Sequence, residues 1–446
     1  MFRKSLFISA HNFGCKSFYD YYKECGISQW QTYAELKEAQ DKNLRHMISY
    51  AYENVPYYHK LFTSLKLLPK DIKTSEDLEK LPVLTKDIIR QNWDDFMPIG
   101  LASMKYENHS SGGTTGTPFR YRLSWNDRFF SGAILYRGWG YGGYELGDRM
   151  VFLAGASLGV TPKSIITKKA HEFSRNLKML SAFDMGDLEM KQYSDTINSF
   201  HPKYIRGYPS ALHSFSTWIE ENDISISPLK AIFTTSEMLY PNVRKKISSV
   251  FQTDVYNNYG LNDGGVTAFE CDQHSGLHID MERSVMEVVN PNNQQLTDDE
   301  GRILATSLFN YAMPFIRYET GDEAVITTDV CSCGRGLPLL QDIRGRSVDV
   351  LITPEGKKVH GWFLLYIFWE YDRGIKEYQV VQNSVDTLEI KLVVTDDFDE
   401  SQLDVICAVI HEKSAGWHIE FRFVDRIERA GNAKYKYIVN NLQECE

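Results

Sequence analysis

The chain has no apolar run approaching the roughly 20 residues that span a bilayer. Its most apolar stretch, Trp362-Phe363-Leu364-Leu365-Tyr366-Ile367-Phe368-Trp369, reads as a buried or interface helix. Positive charge is also in short supply: 49 Lys and Arg stand against 59 Asp and Glu, a formal net charge of −10. That balance excludes a general nucleic-acid binder and a protein held on anionic lipid by charge, so small molecules are the expected partners. The acidic residues are spread along the chain, not gathered in a tail, and read as a solvated surface. Arg3 and Lys4 precede only a short apolar segment, Ser5 to Ala10, which runs into His11 and Asn12, so a signal peptide is not expected. Seven cysteines, an odd number without such a signal, point to reduced thiols, with the cytoplasm as the default compartment. Cys15, Cys25, Cys407 and Cys445 have no ligand-like spacing and read as inert thiols. Internal repeats, heptads and low-complexity tracts are missing.

What is present begins with size: 446 residues, 43% hydrophobic, enough for two or three cores. The most distinctive stretch is His109-Ser110-Ser111-Gly112-Gly113-Thr114-Thr115-Gly116-Thr117-Pro118. Its glycines let the backbone approach a ligand closely, while the intervening N–H groups and hydroxyls converge on an anion. No Gly-Lys-Ser/Thr follows, which argues against a Walker-type loop, a P-loop hydrolase or a kinase. Taken alone, the run reads equally well as a flexible surface turn.

Periodicity places this loop among ordered elements. Tyr33, Leu36, Leu44, Met47, Ile48, Ala51 and Tyr52 recur at helical spacing up to Pro56, and Thr85 caps a further helix. Phe119 to Ser124 alternates as the second arm of a hairpin closing over the loop, followed by a helix from about Asn126 to Gly138. Four short runs, 149–154, 204–208, 231–235 and 254–259, mostly separated by helix-length segments, mark an α/β sheet whose strand ends face a ligand crevice. From Met286 to Ile326 strands and tight turns take over. The expected architecture is therefore α/β. A large multi-subdomain N-terminal domain, residues 1–345, would include a small β-rich subdomain at about 280–345. A small α+β C-terminal domain would cover 346–446.

Six landmarks recur in order: Ser110 to Pro118; Arg206-Gly207-Tyr208-Pro209-Ser210; Thr235-Ser236-Glu237; Tyr256-Asn257-Asn258-Tyr259-Gly260; Arg317-Tyr318-Glu319-Thr320-Gly321-Asp322; and Gly345-Arg346. In these the chain resembles the adenylate-forming (acyl-CoA synthetase) superfamily, within it the phenylacetate–CoA ligase, coenzyme F390 synthetase and CapK-like branch. The resemblance implies ATP-dependent, AMP-forming activation of a carboxylic acid, followed by transfer to a thiol, most often coenzyme A. It also implies a second domain that moves between the two steps. On the same basis Ser111, Gly112, Gly113, Thr114, Thr115, Gly116 and Thr117 would line the phosphates, with Thr115 among the catalytic residues. Ser236, Glu237, Asn257, Asn258, Tyr259 and Gly260 would surround adenine and α-phosphate, and Asp322 would accept hydrogen bonds from the ribose hydroxyls. Asp263 stands where the family has a magnesium-binding glutamate, one methylene shorter yet still a hard oxygen ligand for Mg²⁺. Arg346 remains available to phosphate or ribose, although Val348 replaces the first aspartate of the hinge motif. Lys434, in Ala433-Lys434-Tyr435-Lys436, aligns with the catalytic lysine, with Lys436 as runner-up.

Cys331-Ser332-Cys333-Gly334-Arg335 and Cys271-Asp272-Gln273-His274-Ser275-Gly276-Leu277-His278 supply three thiols and two imidazoles. Three thiolates and one nitrogen make a closed, structural zinc site. By resemblance to the members of the branch that share both motifs, Cys271, His278, Cys331 and Cys333 are the expected ligands, with His274 the alternative to His278. Besides ligation to coenzyme A, two readings stand: a CapK-like enzyme of surface-polysaccharide synthesis that acylates an amine, amino sugar or carrier protein, and an inactive nucleotide-binding protein. The expected partner is a small-molecule carboxylic acid, without nucleic acid or membrane insertion, and a homodimer is left open. Tyr136, Trp139, Tyr141 and Tyr208 are candidates for an aryl pocket.

Overall fold

The computed structural model describes residues 2–111, 119–155, 165–182, 185–346, 350–360, 364, 374–428 and 435–442; at Ser110, Ser111, 165–167, Arg346, Val350, Lys358 and His360 it describes the backbone alone. The chain divides into two compact units, Met1–Arg344 and Gly345–Glu446.

The first unit opens with two helices, Phe2–Gly14 and Phe18–Ser28, that no local sequence signal announces. The next helix, Tyr33–Asn54, is closed at its start by a capping box: Thr32 Oγ1 accepts from the Glu35 backbone N–H while the Glu35 carboxylate accepts from Thr32 N–H. Leu36, Leu44, Met47, Ile48 and Ala51 form its buried stripe, and Pro56 at the first position of helix Pro56–Leu65 starts the following element. Thr85 caps the short helix Lys86–Gln91 by accepting from Ile88 N–H. Strands β1 (Tyr106–Ser111) and β2 (Phe119–Ser124) pair antiparallel on either side of the glycine-rich run, and helix Trp125–Trp139 follows.

The centre is one sheet. Strands β3 (Met150–Ala154), β4 (Leu177–Ser181), β5 (Tyr204–Gly207), β6 (Ala231–Thr234) and β7 (Val255–Gly260) are parallel, joined by helices Ile165–Arg175, Asp187–Phe200, Pro209–Glu221 and Pro241–Phe251. Strands β8 (Thr267–Glu270), β9 (Leu277–Ile279), β10 (Ser284–Val289), β11 (Glu300–Ser307), β12 (Tyr318–Thr327) and β13 (Leu339–Arg346) add an antiparallel half. The order is β10-β11-β12-β13-β9-β8-β7-β6-β5-β3-β4, eleven strands hydrogen-bonded throughout. The β-rich segment is thus continuous with the parallel sheet through the antiparallel β7–β8 pair.

Two layers cover the parallel half. Helices 187–200, 209–221 and 241–251 bury Val151, Leu153, Ile205, Tyr208, Ile232 and Val255 on one face. Helix 125–139 and the two N-terminal helices bury Tyr204, Phe233 and Tyr256 on the other, together with Trp139, Phe7 and Phe18. Buried ion pairs bolt helix 125–139 to the sheet: Arg283 is bidentate to Asp127 at 2.7 and 2.8 Å, and Arg137 pairs with Asp280 and Glu282. The aromatic candidates disperse as a result. Tyr136 and Trp139 share one cluster, Tyr141 lies in the next and Tyr208 is on the opposite face of the sheet, so the four do not line a common pocket.

The second unit is α+β. Strands β14 (Val350–Ile352) and β15 (Lys358–His360) form a hairpin, while β16 (Ile375–Ser384), β17 (Thr387–Val394), β18 (His418–Phe423) and β19 (Ile438–Asn440) make a sheet ordered β18-β17-β16-β19. Helix Ser401–Lys413 is the crossover between the parallel pair β17 and β18, with Ile406 and Ile410 buried. Of the apolar stretch 362–369 only Leu364 is described; it is helical and fully buried. Among the described residues no helix is long and apolar enough to cross a membrane.

Candidate active site and metal centre

Parallel strands carry their carboxyl ends to one edge, and there three of the sequence landmarks meet. Register sets Gly207 beside Thr234 and Thr234 beside Asn257, so Tyr208-Pro209 and Thr235-Ser236-Glu237 leave the sheet side by side, next to Asn258-Tyr259-Gly260, which continue β7 into its pairing with β8. Gly207 is required: a Cβ there would lie 2.7 Å from Leu153 O and 3.0 Å from Leu212 Cγ. Ser236 follows β6 with φ +70°, a left-handed conformation uncommon for a non-glycine residue and characteristic of turns at functional sites. Glu237 turns back so that Oε2 accepts from Ser210 N–H at 3.0 Å, at the start of helix 209–221, where the helix dipole favours a carboxylate.

The asparagines are held differently. Asn257 N–H donates to Glu270 Oε2 at 2.6 Å, and Glu270 is fixed by a bidentate Arg244 at 2.9 and 3.1 Å and by His274 Nδ1 at 3.1 Å. Asn258 is 5% exposed, yet neither its Oδ1 nor its Nδ2 has a hydrogen-bond partner. A buried amide with both groups unpaired costs stability unless something fills them.

Two carboxylates face this edge from the antiparallel half. Asp322 follows Gly321, whose φ is +82°; its backbone N–H donates to Thr320 Oγ1 at 3.1 Å and its Oδ2 accepts from the Tyr259 phenol at 2.9 Å. Asp263 Oδ2 accepts from the Tyr318 phenol at 2.9 Å. Burial, with Asp322 beside it, holds the Tyr259 phenol well above its ordinary pKa, so it stays a donor. These phenols belong to the landmarks, but their service to the two aspartates is legible only in three dimensions. Arg317 is an anchor: it pairs with buried Glu287 at 3.0 Å and donates to Leu81 O at 2.9 Å.

Several residues expected from the sequence lie outside what is described: Gly112, Gly113, Thr114, Thr115, Gly116, Thr117 and Lys434 altogether, and the side chains of Ser111 and Arg346.

The cysteine segments converge. The ligand atoms of Cys271, His278, Cys331 and Cys333 all lie within 4.8 Å of one another. Cys271 Sγ is 3.6 Å from Cys331 Sγ, and Cys333 Sγ is 3.3 Å from His278 Nε2. A tetrahedral zinc with Zn–S near 2.3 Å has an S···S edge of about 3.7 Å, so the cage has the right size. His278 Nδ1 faces Leu337 O at 3.4 Å, the outer contact that leaves Nε2 for a metal. Burial lowers this imidazole to a pKa of about 4, keeping it neutral, whereas burial and the neighbouring thiols push Cys271 up to about 12, the penalty a dication would remove. His274 is committed to Glu270. Gly336 closes the turn against the chain: a Cβ there would overlap Gln31 O at 1.9 Å.

Residues 351–441 match the model of the CapK C-terminal domain family. The chain is 26% identical over 436 residues to Protein CapK of Staphylococcus aureus, covering 95% of this chain and 93% of that one. It is 26% identical over 393 residues to phenylacetate-coenzyme A ligase of Thermus thermophilus, covering 82% of each. Its fold matches 2-hydroxyisobutyryl-CoA ligase, solved in the postadenylation state with R3-HIB-AMP, at a TM-score of 0.75 and 18% identity over 94% of this chain and 92% of that one. The resemblance carried by the six landmarks is borne out. The relatives are phenylacetate–CoA ligases and CapK, and the mixed α/β architecture is that of an acyl-CoA ligase.

Proposed function

We propose that this chain is an AMP-forming acid–thiol ligase, which activates a carboxylic acid with ATP as the acyl-adenylate and transfers the acyl group to coenzyme A. The observation that carries the reading is the meeting, at the carboxyl ends of β5 to β7, of Glu237, Asn257, Asn258, Asp263 and Asp322. Relatives that align over most of the chain's length include named CoA ligases.

In the first half-reaction the acid's carboxylate oxygen bonds to the α-phosphorus of ATP and pyrophosphate leaves with the electron pair of the broken P–O bond. The protein's part is alignment and neutralisation of charge. Asp322, oriented by Tyr259, accepts from the ribose hydroxyls, a task suited to a carboxylate. The unpaired amide of Asn258 offers one donor face and one acceptor face, the pattern an adenine edge needs. Ser111, Thr114, Thr115 and Thr117, with the backbone of Gly112, Gly113 and Gly116, bind the phosphates. Arg346 and Lys434 balance the charge that develops there. Asp263 would hold Mg²⁺, which supplies electrostatic stabilisation of the phosphates when bound. In the second half-reaction the thiolate displaces AMP from the acyl carbon. Cys271, His278, Cys331 and Cys333 would hold a structural Zn²⁺, since four protein ligands leave no open position for chemistry. Free thiols at Cys15, Cys25 and Cys407 accord with a reducing cytoplasm.

One observation favours a second acceptor. The match to Protein CapK spans 95% of this chain, and the C-terminal unit carries the CapK family match, which supports an amine, amino sugar or carrier protein in place of coenzyme A. ATP–pyrophosphate exchange across aryl, short-chain and hydroxy acids tests the shared step: exchange that depends on the acid and falls at least about 100-fold in Lys434→Ala supports adenylation. Absence of exchange with every acid would leave the nucleotide-binding reading. Adding coenzyme A or an amino sugar and identifying the acylated product then separates the acceptors.

A further inference from the structure

Buried arginines in this fold are matched by carboxylates: Arg137 by Asp280 and Glu282, Arg283 by Asp127, and Arg317 by Glu287. Arg206 is the departure that lies at the sheet's ligand edge. It is 9% exposed, its guanidinium stacks 4.9 Å from the Trp139 ring and 5.6 Å from the Phe152 ring, and its Nε has no acceptor. No carboxylate pairs with it among the described residues. Trp139 is 2% exposed and its Nε1–H is also without an acceptor. Two buried donors, one carried by a full positive charge, therefore lie together on the sheet face covered by helix 125–139. Arg122 also lacks a carboxylate among the described residues, but it belongs to the β1–β2 hairpin, where it stacks on Trp93, and not to the parallel sheet.

Position says what the pair would meet. Arg206 is the penultimate residue of β5 and lies level with Phe152 and Phe233, while the candidate adenylate-binding residues lie one to three positions further toward the carboxyl ends of the strands, Asn257 beside Thr234 and Ser236 just beyond β6. At about 3.3 Å per residue, Arg206 lies roughly 3–10 Å below those residues, on the side of the sheet interior. A group bound there belongs to the far end of the acid. A single hydroxyl would satisfy a donor yet leave the guanidinium charge uncompensated, whereas an anion satisfies both donors and charge.

We propose that Arg206 and Trp139 form the distal subsite of the acyl pocket and take a second anionic group, so that the acid this enzyme activates is a dicarboxylate of medium chain or aryl length, or an acid of that length bearing a phosphate. The inference rests on the adenylation reading above and names its substrate class. Arg206 supplies the charge and a planar donor edge; Trp139 supplies its N–H and, through its ring, the surface that holds the guanidinium in plane.

The test is ATP–pyrophosphate exchange with matched pairs, phenylacetate against 4-carboxyphenylacetate and hexanoate against adipate, plus 4-phosphonooxyphenylacetate, on wild type, Arg206→Met and Trp139→Phe. Melting shifts induced by the same acids without ATP are recorded in parallel. The wild type should prefer the doubly anionic member of a pair by about 100-fold or more in kcat/KM, because a site built to pair with a charged group rejects the analogue lacking it. Arg206→Met should reverse that ratio, and Trp139→Phe, which keeps the ring but not the N–H, should lower it about tenfold. Should Arg206→Met fail to fold, Trp139→Phe still reads the subsite. A preference for monoacids that Arg206→Met leaves unchanged would overturn the proposal while leaving adenylation standing. Equal losses for both members of each pair would overturn it by assigning Arg206 to the reacting carboxylate. If no acid supports exchange but the diacids raise the melting temperature of wild type and not of Arg206→Met, the anion subsite holds and adenylation falls. Absence of both exchange and melting shift overturns the subsite.

Discussion

Zinc removal offers the most quantitative test of the architecture. Cys271 follows β8, His278 lies in β9, and Cys331 and Cys333 precede β13, the strand that pairs with β9 through Leu339 and His278. A single ion would therefore cross-link two segments about 60 residues apart in the middle of the eleven-stranded sheet. Treated as a closed loop of that length, the cross-link removes about 14 cal/mol/K of chain entropy from the unfolded state, or about 4 kcal/mol at 25 °C. With about 2.1 cal/mol/K of unfolding entropy per residue over the 344-residue first unit, 4 kcal/mol corresponds to a fall of about 6 °C in melting temperature. The assay is metal analysis of protein purified without chelator, followed by calorimetry at one scan rate of the holo, chelator-treated and Cys333→Ser proteins. The expected results are one zinc per chain and a drop of about 6 °C for both metal-poor forms. Acid-dependent exchange should persist in the metal-poor protein wherever it remains folded. Substoichiometric zinc with unchanged melting, or exchange lost in proportion to zinc while the fold persists, would refute a structural metal.

Asp322→Asn keeps shape and the Tyr259 hydrogen bond but removes the charge, so it should cost about 2 kcal/mol of nucleotide binding, roughly a 30-fold rise in KM for ATP, with little change in melting. It should also narrow the discrimination between ATP and 2′-deoxy-ATP; a variant that discriminates as wild type does would remove Asp322 from ribose recognition. His11 is buried between Phe7 and Phe18, hydrogen-bonded to Phe7 O at 2.9 Å and to the Tyr136 phenol at 3.2 Å, and its pKa is lowered to about 4, chiefly by burial. Between about pH 6.5 and 4 the unfolded chain binds a proton there that the folded chain does not, so stability falls as pH drops through that window, by up to about 3 kcal/mol. Half-buried His213, lowered to about 4 chiefly by desolvation, adds a parallel loss. Melting temperatures followed from pH 7 to 4.5 should therefore fall less steeply in His11→Phe than in wild type, and an identical slope would show that His11 protonates freely in the folded state.

Elements with local signals were readable from the chain alone. Thr32 and Glu35 define a helix start by hydrogen bonds within four residues, Thr85 does the same for the next capped helix, Pro56 starts its helix through its fixed φ, and four of the five parallel strands announce themselves as apolar runs, while β4 (Leu177–Ser181) does not. The metal ligands were readable as residue types because Cys-x-Cys-Gly-Arg is a local pattern. Helices Phe2–Gly14 and Phe18–Ser28 went unassigned because their rationale is remote: Phe7, Phe18 and Cys25 are buried by contacts with residues more than a hundred positions away.

The sequence by itself determined which residues could bind an anion, a ribose, a metal or an acid, since chemistry and spacing are local properties. Tertiary structure alone decided between members of each set. It assigned His274 to the Glu270–Arg244 clamp and His278 to the thiols, scattered the four aromatic candidates over three clusters, and gave Asp322 and Asp263 their tyrosine partners. It also left Arg206, among the described residues, without the carboxylate that Arg137, Arg283 and Arg317 possess. The physical reason is that a hydrogen bond or ion pair depends on distances of a few ångströms between chain segments tens to hundreds of residues apart, and those distances exist only once the sheet has set its register.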